Sequence, residues 1–231
     1  MEAKMQEILQ ENIRVVIENI ENERLKYSAH HIIKLIAVSK YASLEQIIAL
    51  YNAGQRAFGE NKVQDLKAKM QDSQNLPLEW HFIGTLQENK INALLGLKPT
   101  LFQALDSMKL AVALQKRLEL NNQTLNCLLE VNSSLESSKS GFSIESAIDS
   151  YQKIQDSCKN IRLKGIMTIA TNTDDIKIQD SCFKKTKDIF DSLRPNGAEI
   201  LSAGMSSDYK VAIANGANMV RIGSEIFKIN I

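Results

Sequence analysis

The stretch NMVRIGSEIFKINI, residues 218–231, decides between an open and a closed sheet. Its first part, 218–222, is a short apolar run that predicts a buried strand. Nine residues follow, 223–231, and they are too few for a full helix. At the other end of the chain, residues 2–24 carry apolar side chains at helical spacing and predict a long opening helix. That helix can take the outer position that the last strand leaves unfilled, which favours a closed ring.

Seven further strands are predicted before this one, and helical patterns separate them. The strands are 35–39, 56–58, 80–83, 100–104, 125–131, 161–169 and 198–202, and the helices include 43–54, 61–72, 107–120, 143–157, 176–193 and 207–215. Strand and helix in alternation indicate parallel pairing. The sequence therefore predicts a single (β/α)8 TIM-type barrel of the α/β class, with an additional N-terminal helix, in one domain of residues 1–231. An open, doubly wound sheet is the alternative.

Composition excludes several classes of function. The chain has 231 residues, of which 44% are hydrophobic, and its 28 basic residues nearly balance its 27 acidic ones. This balance argues against a nucleic-acid or membrane-surface role. The cysteines form no metal-like cluster, and His30, His31 and His81 lack the spacing of zinc ligands, so we expect no metal site. With no signal peptide and no long apolar run, we expect a cytoplasmic protein.

Polar residues and glycines recur where the predicted strands end, which is where a barrel carries its chemistry. The first strand, in LIAVSK (35–40), ends with Lys40. SAGMSSD (202–208) and RIGS (221–224) follow the last two strands. In the first of these loops we expect Ser206 or Ser207 to cap the next helix, and we expect free N–H groups at 205–206 and 223–224. Ordinary helix capping would explain either loop alone, but both together predict a phosphate site.

A lysine amine opposite a phosphate site indicates a phosphorylated carbonyl compound. Pyridoxal 5′-phosphate (PLP) fits, because its aldehyde condenses with a lysine and its phosphate needs a separate anchor. Arg221 would then lie at the pyridine nitrogen. An arginine paired with an acid at the barrel rim is the plainer interpretation of that residue.

Seven segments in sequence order also resemble one family. They are AVSK (37–40), FGEN.VQ (58–64), WHFIG.LQ.NK (80–90), LLEVN…E..K.G (128–141), GIMTIA (165–170), GMSSD (204–208) and VRIGS.IF (220–227). Together they resemble the pyridoxal phosphate homeostasis protein family, over nearly the whole chain. The resemblance implies a PLP-binding barrel related to the N-terminal domain of alanine racemase.

The resemblance also implies roles for individual residues. Lys40 would hold PLP as an aldimine, Ser206, Gly223 and Ser224 would hold the phosphate, and Arg221 would lie near the ring nitrogen. Four more candidates lie in matching segments near the cofactor: Asn61, His81, Ser202 and Met205. The chain departs from the family pattern at QALD (103–106), SAGMS (202–206) and KYAS (40–43), where HS.D, SMGMS and K.KP are usual. The change at Gln103 and Ala104 leaves open what the usual histidine and serine do.

The implied function is PLP homeostasis by a carrier that does not turn over amino acids. A racemase of the alanine racemase type (fold type III) needs an acid or base on each face of the substrate, and the second comes from a tyrosine of an added domain that we do not expect in this chain. Tyr41 is expected to face away from Lys40. We therefore expect no catalytic residue, apo PLP-dependent enzymes as partners, and a monomer or weak homodimer. A weak racemase and a PLP-independent Schiff-base aldolase are the alternatives.

Overall fold

The structure is a closed barrel of parallel strands surrounded by helices, which confirms the predicted fold. The computed structural model describes residues 2–134 and 140–229. Its elements are α1 (Glu2–Tyr27), β1 (Lys34–Val38), α2 (Leu44–Asn52), β2 (Ala57–Glu60), α3 (Val63–Asp72), β3 (Glu79–Phe82), α4 (Ile91–Leu97), β4 (Leu101–Leu105), α5 (Met108–Leu120), β5 (Leu125–Asn132), β6 (Phe142–Ser143), α6 (Ala147–Ser157), β7 (Ile161–Thr168), α7 (Ile176–Leu193), β8 (Ile200–Ser202), α8 (Tyr209–Ala214), β9 (Met219–Ile222) and α9 (Ser224–Phe227).

Two strand pairings distinguish the barrel from an open sheet. The order β4-β3-β2-β1-β9-β8-β7-β5 is closed by a pairing of β4 with β5, and every pairing is parallel. The first and last strands lie side by side, with Ile36 opposite Arg221. The doubly wound alternative is therefore wrong. β6, which was not predicted, lies outside the ring and, among the described residues, pairs only with the end of β5.

The opening helix fills the outer layer where the last strand has only a short helix. After β9 the chain forms α9, a helix of 4 residues. α1 packs against α2, α8 and α9, and its buried side is Leu9, Ile13, Val16 and Ile20, spaced three or four residues apart. The Asn12 amide donates to the carbonyl oxygens of Ile226 and Lys228 at 3.0 and 2.8 Å, which joins the two ends of the chain. The predicted replacement of the missing helix is confirmed.

Several helices differ from the sequence prediction; α6, for example, begins at Ala147 and not at 143. No helix was named between the third and fourth strands, where the structure has α4, a short segment of 7 residues that ends at Lys98 in a left-handed conformation. α8 begins at Tyr209, later than the predicted 207, because the loop before it is held by a side-chain hydrogen bond of Asp208. No helix among the described residues is long and apolar enough to span a membrane.

Candidate functional site at the carboxyl ends of the strands

Arg221 of β9 is a buried cation inside the barrel. Only 4% of the residue is exposed. Its Nη1 donates to Ser202 Oγ of β8 at 2.5 Å, and its Nη2 donates to the carbonyl oxygen of Thr168, at the end of β7, at 2.9 Å. Burial lowers the pKa of Arg221 to about 10, against the opposing effect of Asp208 and Glu130. The guanidinium is therefore still charged at neutral pH, with its orientation fixed by two neighbouring strands.

Ser202 and His81, both predicted to be near the cofactor, are buried and connected to Arg221 through hydrogen bonds. Ser202 Oγ donates to Gln103 Oε1 at 2.7 Å, and Gln103 Nε2 lies 2.9 Å from His81 Nδ1. His81 Nε2 lies 2.8 Å from Glu79 Oε1. Neither Ser202 nor His81 is open to solvent. Both lie within the barrel interior and reach Arg221 through side-chain contacts.

Two buried carboxyl groups lie near this arginine, and neither was predicted from the sequence as a site residue. Glu130 of β5 is 8% exposed, and its Oε2 has no hydrogen-bond partner among the described residues. Burial, with the nearby charge of Asp106, raises the pKa of Glu130 to about 7, against the opposing effect of Arg221. Burial also raises the pKa of Asp208. The interior thus combines one fixed cation with acids that titrate nearer to neutrality than usual.

The loop after β8 offers backbone donors, of which only one, the N–H of Ser206, was predicted. The Met205 N–H is not free, because Asp208 Oδ1 accepts from it at 2.6 Å. The prediction that Ser206 or Ser207 caps α8 is wrong, because Asp208 is the residue that precedes the helix. The N–H groups of Ser206 and Ser207 have no acceptor among the described residues. Gly204 has φ +95°, a conformation that favours glycine and allows the tight turn before these donors.

The loop after β9 lies against β1. The N–H of Gly223 has no acceptor in the described part of the chain, and Ser224 is the exposed first residue of α9. A Cβ on Gly223 would lie 3.0 Å from the carbonyl oxygen of Val38. A side chain at position 223 would therefore fit only if β1 moved by a few tenths of an ångström, a constraint that the sequence did not reveal. Because β8 and β9 are neighbours, the donors of both loops lie on one side of the barrel end.

Lys40 follows β1, the other neighbour of β9, and its side chain is exposed. Its Nζ lies 5.1 Å from the centre of the Tyr41 ring, so the expectation that Tyr41 faces away is wrong. The residue before it, Ser39, is buried and donates to Glu60 Oε1 at 2.6 Å. Lys69 of α3 donates to Glu60 Oε1 at 2.7 Å and to the Ser39 carbonyl oxygen at 2.5 Å. A buried ion pair thus anchors the backbone that presents Lys40.

The loops after β2 and β3 complete this end of the barrel. Asn61 is exposed directly after β2. A Cβ on Gly84, after β3, would lie 2.1 Å from the Asn61 carbonyl oxygen, so these two loops are in close contact. Part of the segment 128–141 used for the family resemblance, residues 135–139, lies outside the described residues. No group of three or more potential metal ligands occurs in the described part of the chain.

Comparison with known proteins agrees with this arrangement. The family model of the alanine racemase N-terminal domain matches residues 6–230. A pyridoxal phosphate homeostasis protein of Helicobacter pylori is 54% identical over 218 residues, which are 94% of this chain and 97% of that protein. The chain belongs to the pyridoxal phosphate homeostasis protein family. The family's protein from Haemophilus influenzae is 38% identical over 226 residues, 95% of this chain and 94% of its own length.

Solved structures show the same barrel. A structure described as an unknown protein from Bifidobacterium adolescentis has a TM-score of 0.92 and 29% identity, over 97% of this chain and 96% of its own. PipY of Synechococcus elongatus, solved with PLP bound, has a TM-score of 0.80 and 26% identity, over 95% of this chain and 100% of its own. An alanine racemase of Clostridium difficile, at 16% identity and TM-score 0.76, shares the fold; the match covers 95% of this chain and 57% of the racemase.

Proposed function

We propose that this protein binds PLP reversibly, as a Schiff base with Lys40, and supplies it to apo PLP-dependent enzymes in the cytoplasm without turning over amino acids. One observation carries the proposal most strongly. Two neighbouring loops, after β8 and β9, present free backbone N–H groups beside a buried arginine, and β1, which bears Lys40, is the adjacent strand. An anion, a polar ring atom and an aldehyde each find a partner in this arrangement.

The residues present fit the cofactor. When bound, PLP would supply an aldehyde for the lysine and an electron-withdrawing ring. Lys40 would hold the aldehyde carbon, and the N–H groups of Ser206 and Gly223, with the hydroxyls of Ser206 and Ser224, would hold the phosphate. Arg221, charged at neutral pH and a donor only, would donate to an unprotonated pyridine nitrogen. Asn61 and Met205 are exposed, and we propose them only as neighbours of the bound cofactor. Relatives named for PLP homeostasis, and PipY with PLP bound, support the same proposal.

Tyrosine positions favour a carrier over a racemase. Racemisation needs a second acid or base opposite the lysine. Tyr41 is 89% exposed, and Tyr209 is buried in α8, which packs against the outer helix α1. Neither is held in a fixed position across from Lys40. Three free, buried cysteines are consistent with a reducing compartment such as the cytoplasm. We propose that the carrier works as a monomer or a weak homodimer.

The carrier proposal is tested by transfer and by exchange with the same loaded protein. We expect it to activate an apo PLP-dependent enzyme, and we expect Lys40→Ala to bind PLP weakly. In D2O with alanine, we expect α-proton exchange no faster than free PLP gives. Retention of PLP in the presence of the acceptor, together with racemisation that Lys40→Ala abolishes, would identify a racemase. Absence of PLP binding would leave the aldolase alternative.

A further inference from the structure

A line of hydrogen bonds crosses the barrel interior from Arg221 to the amino end of β3. It connects β9, β8, β4 and β3 through Arg221, Ser202, Gln103, His81 and Glu79. At its far end, Lys34, the first residue of β1, donates to both oxygens of Glu79 at 2.5 and 2.7 Å. Gln103, Ser202 and His81 are all buried, so water does not compete for these bonds.

In each hydrogen bond of this line, the residues at the two ends determine which atom donates and which accepts. An arginine can only donate, so Ser202 Oγ accepts from it and must send its own proton to Gln103 Oε1. The amide nitrogen of Gln103 can only donate, so His81 Nδ1 accepts. At the other end, the hydrogen bond from His81 and the ion pair with Lys34 lower the pKa of Glu79 to about 2. Glu79 is therefore a carboxylate that accepts from His81 Nε2.

His81 is accordingly a neutral imidazole with its proton on Nε2. Burial lowers the pKa of His81, against the opposing effect of Glu79. A second proton, on Nδ1, would face the donor nitrogen of Gln103. The imidazolium form of His81, which has a proton on both ring nitrogens, would therefore break the line of hydrogen bonds. Ser202, Gln103 and His81 must each accept one hydrogen bond and donate another for all the bonds in the line to point the same way. An apolar residue at position 103 would end it.

We propose that Gln103 is the positioning residue for Arg221, acting through Ser202, and that the line anchored at Glu79 fixes the direction in which the arginine donates to a ligand in the barrel mouth. The ligand part of this inference rests on the proposed function. With Gln103 absent, the Ser202 hydroxyl loses its acceptor and is free to rotate. One of the two bonds that orient the guanidinium then weakens, although the guanidinium itself is unchanged.

The first experiment needs no ligand. Nitrogen-detected NMR of the cofactor-free protein separates the two imidazole tautomers, and the chain has only 3 histidines to assign. We expect His81 as the neutral Nε2–H tautomer at pH 7, with exposed His30 as an internal reference. Gln103→Leu should remove the Nδ1 hydrogen-bond shift of His81. An imidazolium, or a proton on Nδ1, in the wild-type protein would overturn the proposal whether or not PLP binds.

The second experiment measures the ligand end by titration with PLP, followed by absorption. We expect Gln103→Leu to weaken PLP by about fivefold, the factor for one ordinary hydrogen bond, and to shift the absorption maximum of the bound cofactor. Gln103→His, which keeps a donor and an acceptor, should restore both the affinity for PLP and the absorption maximum.

The matched control is Gln115→Leu, since Gln115 is also buried but forms hydrogen bonds with Glu119 and Asn160 in the outer layer. Equal effects of the two leucine variants, or no spectral shift in Gln103→Leu, would refute a positioning role. If neither the wild type nor any variant binds PLP, the proposed function is wrong, whereas the NMR result on the His81 tautomer is unaffected.

Discussion

Glu130→Gln should stabilise the cofactor-free protein, and by more at alkaline than at acidic pH. Glu130 is buried, with Oε2 unpartnered among the described residues, and burial is the main reason that its pKa rises from 4.5 to about 7. In the unfolded chain the carboxyl group has an ordinary pKa and ionises freely. Folding at high pH must therefore bury a charge. Glutamine has nearly the same shape and carries no charge at any pH.

The sign and size follow from proton linkage. Between about pH 4.5 and pH 7 the folded protein binds more protons at Glu130 than the unfolded chain does. Stability contributed by this group is therefore highest below pH 4.5, falls as pH rises to 7, and is constant above. A shift of this size, at about 1.4 kcal/mol per pKa unit, is worth roughly 3 kcal/mol. Most of that difference should appear between pH 5 and pH 8.

Urea unfolding at pH 5 and pH 8 measures the effect. We expect Glu130→Gln to raise the free energy of unfolding, relative to the wild type, by about 2–3 kcal/mol more at pH 8 than at pH 5. This corresponds to a Tm gain that is about 5–10 °C larger at pH 8. The control is Glu7→Gln, which removes an exposed carboxylate of α1 and should change stability by less than about 0.5 kcal/mol at both values. A gain in Glu130→Gln that does not depend on pH would show that the carboxyl group is not held in its buried, unpaired state.

Two further predictions concern the residues that support Lys40 and that bind the phosphate. Lys69→Met should destabilise the fold by about 3 kcal/mol in urea unfolding, because it leaves Glu60 buried without its ion pair; a loss below about 1 kcal/mol would mean that the pair does not anchor the chain before Lys40. Ser206→Ala should weaken PLP by about fivefold in a spectral titration while pyridoxal is unaffected, because one hydroxyl is lost and the backbone donors remain. If pyridoxal weakens equally, Ser206 does not contact the phosphate.

The fold was predictable because it depends on a repeated pattern. Apolar runs alternating with helical periodicity recur along the chain, and errors at single boundaries do not alter the count of strands. The place of α1 beside α9 also followed from the sequence, since the last strand is followed by few residues. α4 was missed because it is short, and its apolar INALLGL pattern is only two turns long.

The site was predictable only where residues lie at strand ends. Lys40, Asn61 and the loops after β8 and β9 lie at the barrel's carboxyl end because parallel strands all end there. Contacts across the interior could not be predicted, because they join strands that are distant in sequence. Gln103 and Ser202 are 99 positions apart, and nothing local to either indicates the other.

The loop before α8 shows a different limit. Serine and aspartate both cap helices well, and the choice among Ser206, Ser207 and Asp208 depends on the turn that Gly204 allows. Glu130 was overlooked for a related reason. It lies within the apolar run LLEV, and such a run indicates burial without showing which side of the strand faces the barrel interior.

Covalent attachment at Lys40 is the central claim, and reduction with peptide mapping tests it most directly. The PLP-loaded protein is treated with borohydride, digested, and analysed by mass spectrometry for the pyridoxyl group. The account predicts that the group is found on Lys40, and that its absorption disappears in Lys40→Ala. A pyridoxyl group on another lysine, such as Lys90 or Lys139, or a bound cofactor that borohydride does not fix to the chain, would contradict it.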